Sequence, residues 1–290
     1  MKAALIGRKI SASLTPRLHE DEARVQGFPY AYTRIDAAED ANSEMGIAQF
    51  LEIAETSGCA GVNVTYPFKI EATEHVDELS PTAKVLGSLN TVQFRHGRRI
   101  GHNTDYSGFA ESFEETLRDC DRSHCILLGA GGAGSAVGLA LLDGGVEHLV
   151  ISDPLVAKAQ SLRSKLAQLR PDKTVTATSK PEPADLQRTC GVVNATPLGM
   201  AGDSRMALDP ETLSQSAWVA DIVYFPLQTP LLQKAKQCGL RTMPGSGMAV
   251  YQAAHAFELI TGRRPEKERM KANLAALLTK ANNSLEQQNV

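Results

Sequence analysis

The sequence predicts a two-domain α/β protein. Three observations carry that prediction: the length, an alternation of strand-like and helix-like segments along most of the chain, and a glycine-rich turn placed directly after one of the strands. The chain has 290 residues, about two domains' worth at ~150 residues each. A hydrophobic fraction of 42% against 22% charged residues is enough apolar material for a sizeable core. It excludes a disordered chain, a coiled-coil rod and a disulfide-stapled mini-protein. Lys plus Arg total 30 and Asp plus Glu 33, a net charge of -3, so no global attraction draws the chain to nucleic acid or to an anionic membrane.

The first alternation begins with a short buried strand at Ala3–Ile6, ended by Gly7. Pro16, tolerated in a first helical turn, opens a helix to about Val25. Tyr30–Ile35 reads as a second strand. Residues 44–56 place Ile47, Phe50, Leu51 and Ala54 on one helical side. Ala60–Val64 is a third strand and 68–76 a short helix. Residues 90–94 and 98–102 are extended pieces joined by a turn at His96-Gly97. Alternation of this kind argues for a parallel-rich sheet covered on both faces.

A second alternation starts near 105. It runs through a helix at 106–119, a strand at Cys125–Leu128, a helix to about Leu142, a strand at His148–Ser152 and a helix at 155–169. Further strands are expected at Thr174–Ala177, Gly191–Asn194 and Val219–Val223, with loops around 178–185 and 197–210. The last 45 residues are helical from Met248 to Ile260, break at Gly262 and resume from Pro265; the polar tail after Lys280 is expected to fray.

Cys59, Cys120, Cys125, Cys190 and Cys238 are odd in number and form no CxxC. They read as reduced thiols in a cytoplasmic protein, not as a disulfide framework or a zinc site. Arg8 and Lys9 interrupt the first apolar stretch too early for a signal peptide, and no run of ~20 apolar residues suggests a membrane span.

The most specific local signal is CILLGAGGAGSAVGLALL. Gly129, Gly131 and Gly134 form GxGxxG between a strand and a helix, the context in which this pattern binds a dinucleotide. Gly129 permits the turn, Gly131 lets the backbone approach a pyrophosphate, and Gly134 lets the helix pack close to the sheet. Ala130, Gly132 and Ala133 complete the turn, whose free amides face the phosphates. About 20 residues on, Asp153 ends the next strand, where a carboxylate accepts hydrogen bonds from ribose hydroxyls. No arginine stands at 154–157 to meet a 2'-phosphate, so NAD is expected rather than NADP, with Lys158 as the nearest cation. A helix cap is the alternative role for Asp153.

NVTYPFK puts Lys69 just after a strand, in the first turn of the expected short helix, where its charge opposes the helix dipole. Proton transfer and a solvated surface position are both open to it. GHNTDYSG places Asp105 at the junction of the two alternations, as a cleft group or a helix cap. SASLTP supplies hydroxyls at Ser11, Ser13 and Thr15, which suit a polyol substrate or, for Thr15 ahead of Pro16, helix capping. Gln252 is the polar exception on an otherwise small and apolar helix face. His19, His75, His102 and His255 lack ligand spacing, and no metal is assigned.

Together these segments resemble the shikimate/quinate dehydrogenase family. The stretches SASLTPRLH, NVTYPFK, GSLNT, GHNTDYSGF, GAGGAG, NATPLGM, DIVYFPLQTPLL and GSGMAVYQAAHAF occur in family order and span nearly the whole chain. The resemblance implies a Rossmann-like NAD-binding domain, 105–244, inserted beside an α/β substrate-binding domain, 1–104, that the helices of 245–290 complete. It implies interconversion of a cyclic hydroxy acid and its ketone, with Lys69 and Asp105 as the catalytic pair. Ser13, Thr15, Asn63, Thr65, Asn90, Tyr224 and Gln252 would bind the substrate. Asn194, Thr196, Pro197, Val223 and Gly245 would lie against the cofactor. Two departures from the commonest family pattern, Thr15 in SLTP and SDP after the second strand of the cofactor domain, point to the subgroup that uses NAD on quinate or shikimate. The alternatives are a biosynthetic shikimate or amino-shikimate dehydrogenase and a non-catalytic ligand-sensing regulator. A homodimer is compatible with the resemblance; a nucleic-acid or membrane partner is not expected.

Overall fold

The computed structural model describes residues 1–42 and 44–288. The chain forms two compact units. Unit 1 comprises Met1–Gly108 and Val250–Leu277; unit 2 comprises Phe109–Ala249 and the chain from Leu278 on.

In chain order the elements are β1 (Lys2–Gly7), α1 (Thr15–Val25), β2 (Ala31–Asp36), α2 (Ile47–Thr56), β3 (Gly61–Val64), β4 (Glu78–Leu79), α3 (Pro81–Leu86), β5 (Thr91–Arg95) and β6 (Arg98–His102). They continue with α4 (Thr104–Leu117), β7 (His124–Leu128), α5 (Gly132–Asp143), β8 (His148–Ser152), α6 (Val156–Leu169), β9 (Thr174–Thr178), α7 (Pro183–Arg188), β10 (Gly191–Asn194), β11 (Trp218–Asp221), α8 (Pro230–Gln237) and β12 (Arg241–Met243). Two helices close the chain, α9 (Ser246–Thr261) and α10 (Lys267–Gln288). Among the described residues, no helix is long and apolar enough to cross a membrane.

Unit 1 is built on a six-stranded sheet in the order β2-β1-β3-β5-β6-β4. It is parallel from β2 through β3, but β5 runs antiparallel to both β3 and β6. The expected parallel-rich sheet is therefore mixed here. The cause is local: Arg95 and Arg98 are joined by His96 and Gly97, both with positive φ, a two-residue hairpin that forces antiparallel pairing. Phe50, Leu51 and Ile47 of α2 pack against Ile6, Val62, Val64 and Val92 of the sheet. These are the residues whose helical spacing marked the apolar side of α2.

Unit 2 has a fully parallel sheet, β12-β11-β10-β7-β8-β9. Its inner strands are continuous apolar runs because both faces are covered. Ile126, Val150, Val192 and Val219 meet Leu231, Leu232 and Ala235 of α8. At Gly191 a β-carbon would lie 2.0 Å from the Trp218 ring of the neighbouring strand. Glycine there makes room for the largest fully buried side chain, whose indole N–H donates to the Asp121 carbonyl at 3.0 Å.

Five local expectations need correction. The 68–76 segment is a turn followed by a 3-10 helix at Glu71–His75, so Lys69 precedes any helix. Helix α4 begins at Thr104, not 106, and the 178–185 loop already enters α7 at Pro183. Strand β11 stops at Asp221 and leaves Val223 in the following loop. Helix α10 continues through the polar tail to Gln288; residues 289–290 lie outside the described residues.

Candidate active site

In unit 1 the turn after β3 is fixed at both ends. Phe68 is buried against Phe50, and the Leu89 amide donates to the Lys69 carbonyl at 2.8 Å. The Lys69 side chain is thereby aimed at the start of α4, where Nζ donates to Asp105 Oδ2 at 2.5 Å. Asp105 does not cap that helix. Asn103 does so instead, its Oδ1 accepting from the Tyr106 amide at 3.2 Å. Asp105 Oδ1 takes a second hydrogen bond, from Asn90 Nδ2 at 2.9 Å. The side chains of Lys69 and Asp105 are 21% and 9% exposed. The pair is therefore reachable from the lysine end and nearly dry at the carboxylate end.

Asn90 is the organiser of this cluster. Its Oδ1 accepts from the Thr104 amide at 2.7 Å, which fixes the orientation of the side-chain amide. Its Nδ2 then faces Asp105, Thr104 Oγ1 at 2.9 Å and Gln252 Oε1 at 3.4 Å, the last from α9. Four of the expected site residues thus converge: Lys69, Asn90, Asp105 and Gln252. Asn63 sits behind them, buried in β3. It accepts from Tyr32 Oη at 2.6 Å and donates to Thr91 Oγ1 at 2.9 Å and the Asn90 carbonyl at 3.2 Å. Both ends of its amide are committed, so in this structure it is a strut for the cluster.

Ser13 lies on the loop between β1 and α1, and Thr15 is the first residue of α1. The buried Asp36 carboxylate, at the end of β2, accepts from the amides of Lys9 and Ile10 at 2.8 Å each and from Ala38 at 2.9 Å. Arg34 Nη2 donates to the Ser13 carbonyl at 2.7 Å. Burial opposes ionisation of Asp36, but these amides, with Arg8 nearby, outweigh it and hold the carboxyl below its usual range. The loop runs beside Thr65: the Arg8 amide donates to the Tyr66 carbonyl, and a β-carbon at Gly7 would lie 2.3 Å from Thr65 Cγ2. Thr15 begins α1 instead of capping it, and its amide donates a long bond, 3.4 Å, to Ser13 Oγ. Tyr224 belongs to unit 2, past the end of β11; burial pushes its phenol up.

In unit 2 the chain crosses from β7 to β8 and β9 on one side, then returns to β10 on the other side of β7. The gap beyond the carboxyl ends of β7 and β10 is a topological switch point, the place where open parallel sheets bind ligands. The glycine turn lies on one side of it. Gly129 has φ +98°, and a β-carbon there would lie 2.9 Å from the Ala195 carbonyl. Gly134 lets α5 cross the turn, since a β-carbon would be 2.1 Å from the Gly129 carbonyl oxygen. By contrast, β-carbons on Gly131 or Gly132 would meet nothing within 4 Å. That open space at the start of a 12-residue helix, faced by amides without helical partners, fits a pyrophosphate.

Asp153 lies on the β8 side of this region, at the end of that strand. Its Oδ2 accepts from the Ala130 amide and its Oδ1 from the Leu155 amide, each at 2.9 Å. It braces the glycine turn and the approach to α6 at once. On the other side Asn194 and Thr196 follow β10, with Asn194 Oδ1 accepting from the Thr196 amide and hydroxyl. Gly245 lies against the segment after β11; a β-carbon there would be 2.4 Å from the Ile222 carbonyl oxygen and 2.7 Å from that of Val223. All the dinucleotide candidates of this unit therefore share one edge of its sheet. Among the described residues no group of three or more His, Cys, Asp and Glu is arranged to hold a metal ion.

Sequence reasoning passed over Thr104, Tyr32, Asp36 and Asp221. The last two carry a usable signal, a lone carboxylate ending an apolar strand in TRID and WVAD.

The parallel sheet with its glycine turn and the lysine–aspartate cluster define a two-unit α/β protein with a Rossmann-like unit. Residues 5–92 match the model of the shikimate dehydrogenase substrate binding domain, and 245–274 that of the shikimate 5'-dehydrogenase C-terminal domain. Shikimate dehydrogenase (NADP(+)) of Arthrobacter sp. (strain FB24) is 42% identical over 275 residues, 94% of each chain. Quinate/shikimate dehydrogenase (NAD(+)) of Corynebacterium efficiens is 39% identical over 94% of this chain and 97% of its own. A solved structure of quinate dehydrogenase from Corynebacterium glutamicum in complex with NAD superposes with a TM-score of 0.91 at 36% identity, covering 95% of this chain and 99% of that one. The chain belongs to the shikimate dehydrogenase family.

Proposed function

We propose that the protein is an NAD-dependent quinate/shikimate dehydrogenase that oxidises quinate to 3-dehydroquinate and shikimate to 3-dehydroshikimate, reversibly. The observation that carries the cofactor choice is Asp153, an acidic side chain bonded to the Ala130 amide of the glycine turn, with no arginine at 154–157. A carboxylate in that place suits free ribose hydroxyls and repels a 2'-phosphate. Thr15, which keeps a hydroxyl and adds a methyl where serine is commoner in the family, supports quinate as a substrate. A relative named for NADP at 42% identity favours a second reading, an NADP-dependent shikimate dehydrogenase.

On the proposed reading, the glycine turn and Asp153 would hold the dinucleotide, which would supply a hydride acceptor for the carbon that bears the reacting hydroxyl. Lys69 takes or relays the hydroxyl proton. Asp105 holds the Lys69 amine in place and takes up the proton when Lys69 relays it, and Asn90 keeps Asp105 turned toward the lysine. In the reverse direction the same pair protonates the developing alkoxide, stabilised by a cation that is ordered before the reaction begins. Ser13, Thr15 and Tyr224 are assigned to the substrate carboxylate and Asn90, Asp105 and Gln252 to its ring hydroxyls; Asn63, expected beside them, braces Asn90 from behind, and Thr65 completes the substrate-binding positions. No step in this scheme calls on a metal.

Initial rates of nicotinamide reduction with quinate and with shikimate, each against NAD and NADP, test the proposal. Higher kcat/KM with NAD on either acid is the expected result. Preference for NADP would replace it with the second reading. No rate in any combination, from folded protein that binds NAD, would reject both acids.

A further inference from the structure

Strands β10 and β11 end side by side, with Asn194 and Asp221 as register partners. Asp221 is fully buried, an unfavourable place for a carboxylate unless its oxygens are well partnered. Oδ1 accepts from Asn194 Nδ2 at 2.9 Å and from the Val223 amide at 3.0 Å. Oδ2 accepts from Thr229 Oγ1 at 2.7 Å, and that hydroxyl in turn caps α8 through the Leu232 amide. One carboxylate therefore ties together two strand ends, the loop that follows each, and the next helix.

The ties continue outward. Asn194, oriented by Asp221, donates to the Leu198 carbonyl at 3.2 Å and accepts from Thr196. The Ala201 amide donates to the Phe225 carbonyl at 3.0 Å, joining the two loops directly. Thr196 and Ala195 pack on Gly129 of the phosphate turn, while Ile222 and Val223 pack on Gly245. Asp221 thus stands behind the loops on the β10–β11 side of the dinucleotide region, which meet the glycine turn only where Ala195 and Thr196 approach Gly129. Burial pushes its carboxyl up to about 6, although Thr229, Val223 and Asn194 all bond to it. The fold therefore bears a cost to keep an acid at this point.

We propose that Asp221 is a positioning residue that sets the two loops carrying Asn194, Thr196 and Val223 against the nicotinamide end of the bound dinucleotide. The proposal rests on the dinucleotide reading above and adds a division of labour to it. The adenosine and phosphates are held by the glycine turn and Asp153; the nicotinamide end is held by loops that depend on Asp221.

Calorimetric titration of wild type, Asp221→Ala, Asp221→Asn and Thr229→Val with NAD and with ADP-ribose, which lacks the nicotinamide ring, tests this. Asp221→Ala is expected to weaken NAD binding roughly tenfold or more, the usual size of losing charge-assisted hydrogen bonds. It should leave ADP-ribose within about twofold, because Asp153 keeps its own bonds to the Ala130 and Leu155 amides. Asp221→Asn keeps an acceptor for Asn194 and Val223 and should recover most of the NAD affinity. Thr229→Val should shift NAD in the same direction as alanine, by less, and it carries the test if Asp221→Ala does not fold. Equal losses for both ligands, or no loss of NAD affinity in folded Asp221→Ala and Thr229→Val, would overturn the proposal. Wild-type protein that binds neither ligand would instead overturn the dinucleotide reading, and the proposal with it.

Discussion

Asp105 has two oxygens and a different partner on each. Oδ2 meets Lys69 and Oδ1 meets Asn90, so the lysine is placed by a group that is itself placed. That arrangement makes Lys69→Ala informative. Turnover should fall at least ~100-fold, the usual contribution of a positioned acid–base group. Affinity for NAD should stay nearly unchanged, since no contact of Lys69 involves the glycine turn or Asp153. Near-normal turnover in steady-state assays of the variant would remove Lys69 from the reaction. Asp153 makes the opposite test. Asp153→Ala removes a carboxylate beside the Ala130 amide and should cut the NAD-to-NADP ratio of kcat/KM roughly tenfold. An unchanged ratio would end its role in ribose recognition.

At the scale of elements, what the sequence made legible follows from periodicity and punctuation. The apolar side of α2 and the strand–glycine–helix unit β7-α5 could be read directly. In each, the pattern that forms the element also buries it. What was missed has a common cause. Helices α3, α7 and α8 each begin with a proline, at Pro81, Pro183 and Pro230; α7 opens inside the loop expected at 178–185, and α3 and α8 fall where no element is expected. Yet proline suits a first helical turn, and Ser80 and Thr229 cap α3 and α8 by accepting from the Ala83 and Leu232 amides. Asn103, inside GHNTDYSG, caps α4 by a local bond to the Tyr106 amide, whereas Tyr32, which no motif announces, supports Asn63 through a tertiary contact that no spacing encodes. Asp36 belongs here too, because it governs a loop and not a contact to ligand. Asp36→Ala frees the amides of Lys9, Ile10 and Ala38 and should raise KM for quinate or shikimate roughly tenfold through disorder of the Ser13–Thr15 loop. KM for NAD should not move. Parallel increases in both constants would mean that the substitution damages the fold at large.

Over the whole molecule, the chain leaves unit 1 after Gly108 and returns to it from Val250 to Leu277, so unit 1 is complete only when its last helix has docked on its first. The docking is polar and centres on Glu22 of α1, whose side chain is 1% exposed. Its carboxylate accepts from Arg269 Nε and Nη2 at 2.8 and 2.6 Å, from the Glu266 amide at 3.0 Å and from Gln26 at 2.8 Å. Burial raises the cost of the charge, but these donors outweigh it and hold the carboxyl below its usual range. The sign of the linkage follows. A carboxyl with a lowered pKa in the folded state contributes stability at pH above its unfolded value, about 4, and loses it as pH falls further. Glu22→Gln should therefore cost about 2 kcal/mol of local stability at neutral pH. The cost should shrink as pH drops below about 4 and the wild-type group is itself protonated. Trp218 is the sole tryptophan and lies in unit 2, so its fluorescence reports the other unit. Amide hydrogen exchange over 15–25 and 267–277 reads the right place. There the variant should lose protection roughly thirtyfold at neutral pH. Undiminished protection would show that apolar contacts alone return the chain to its first unit.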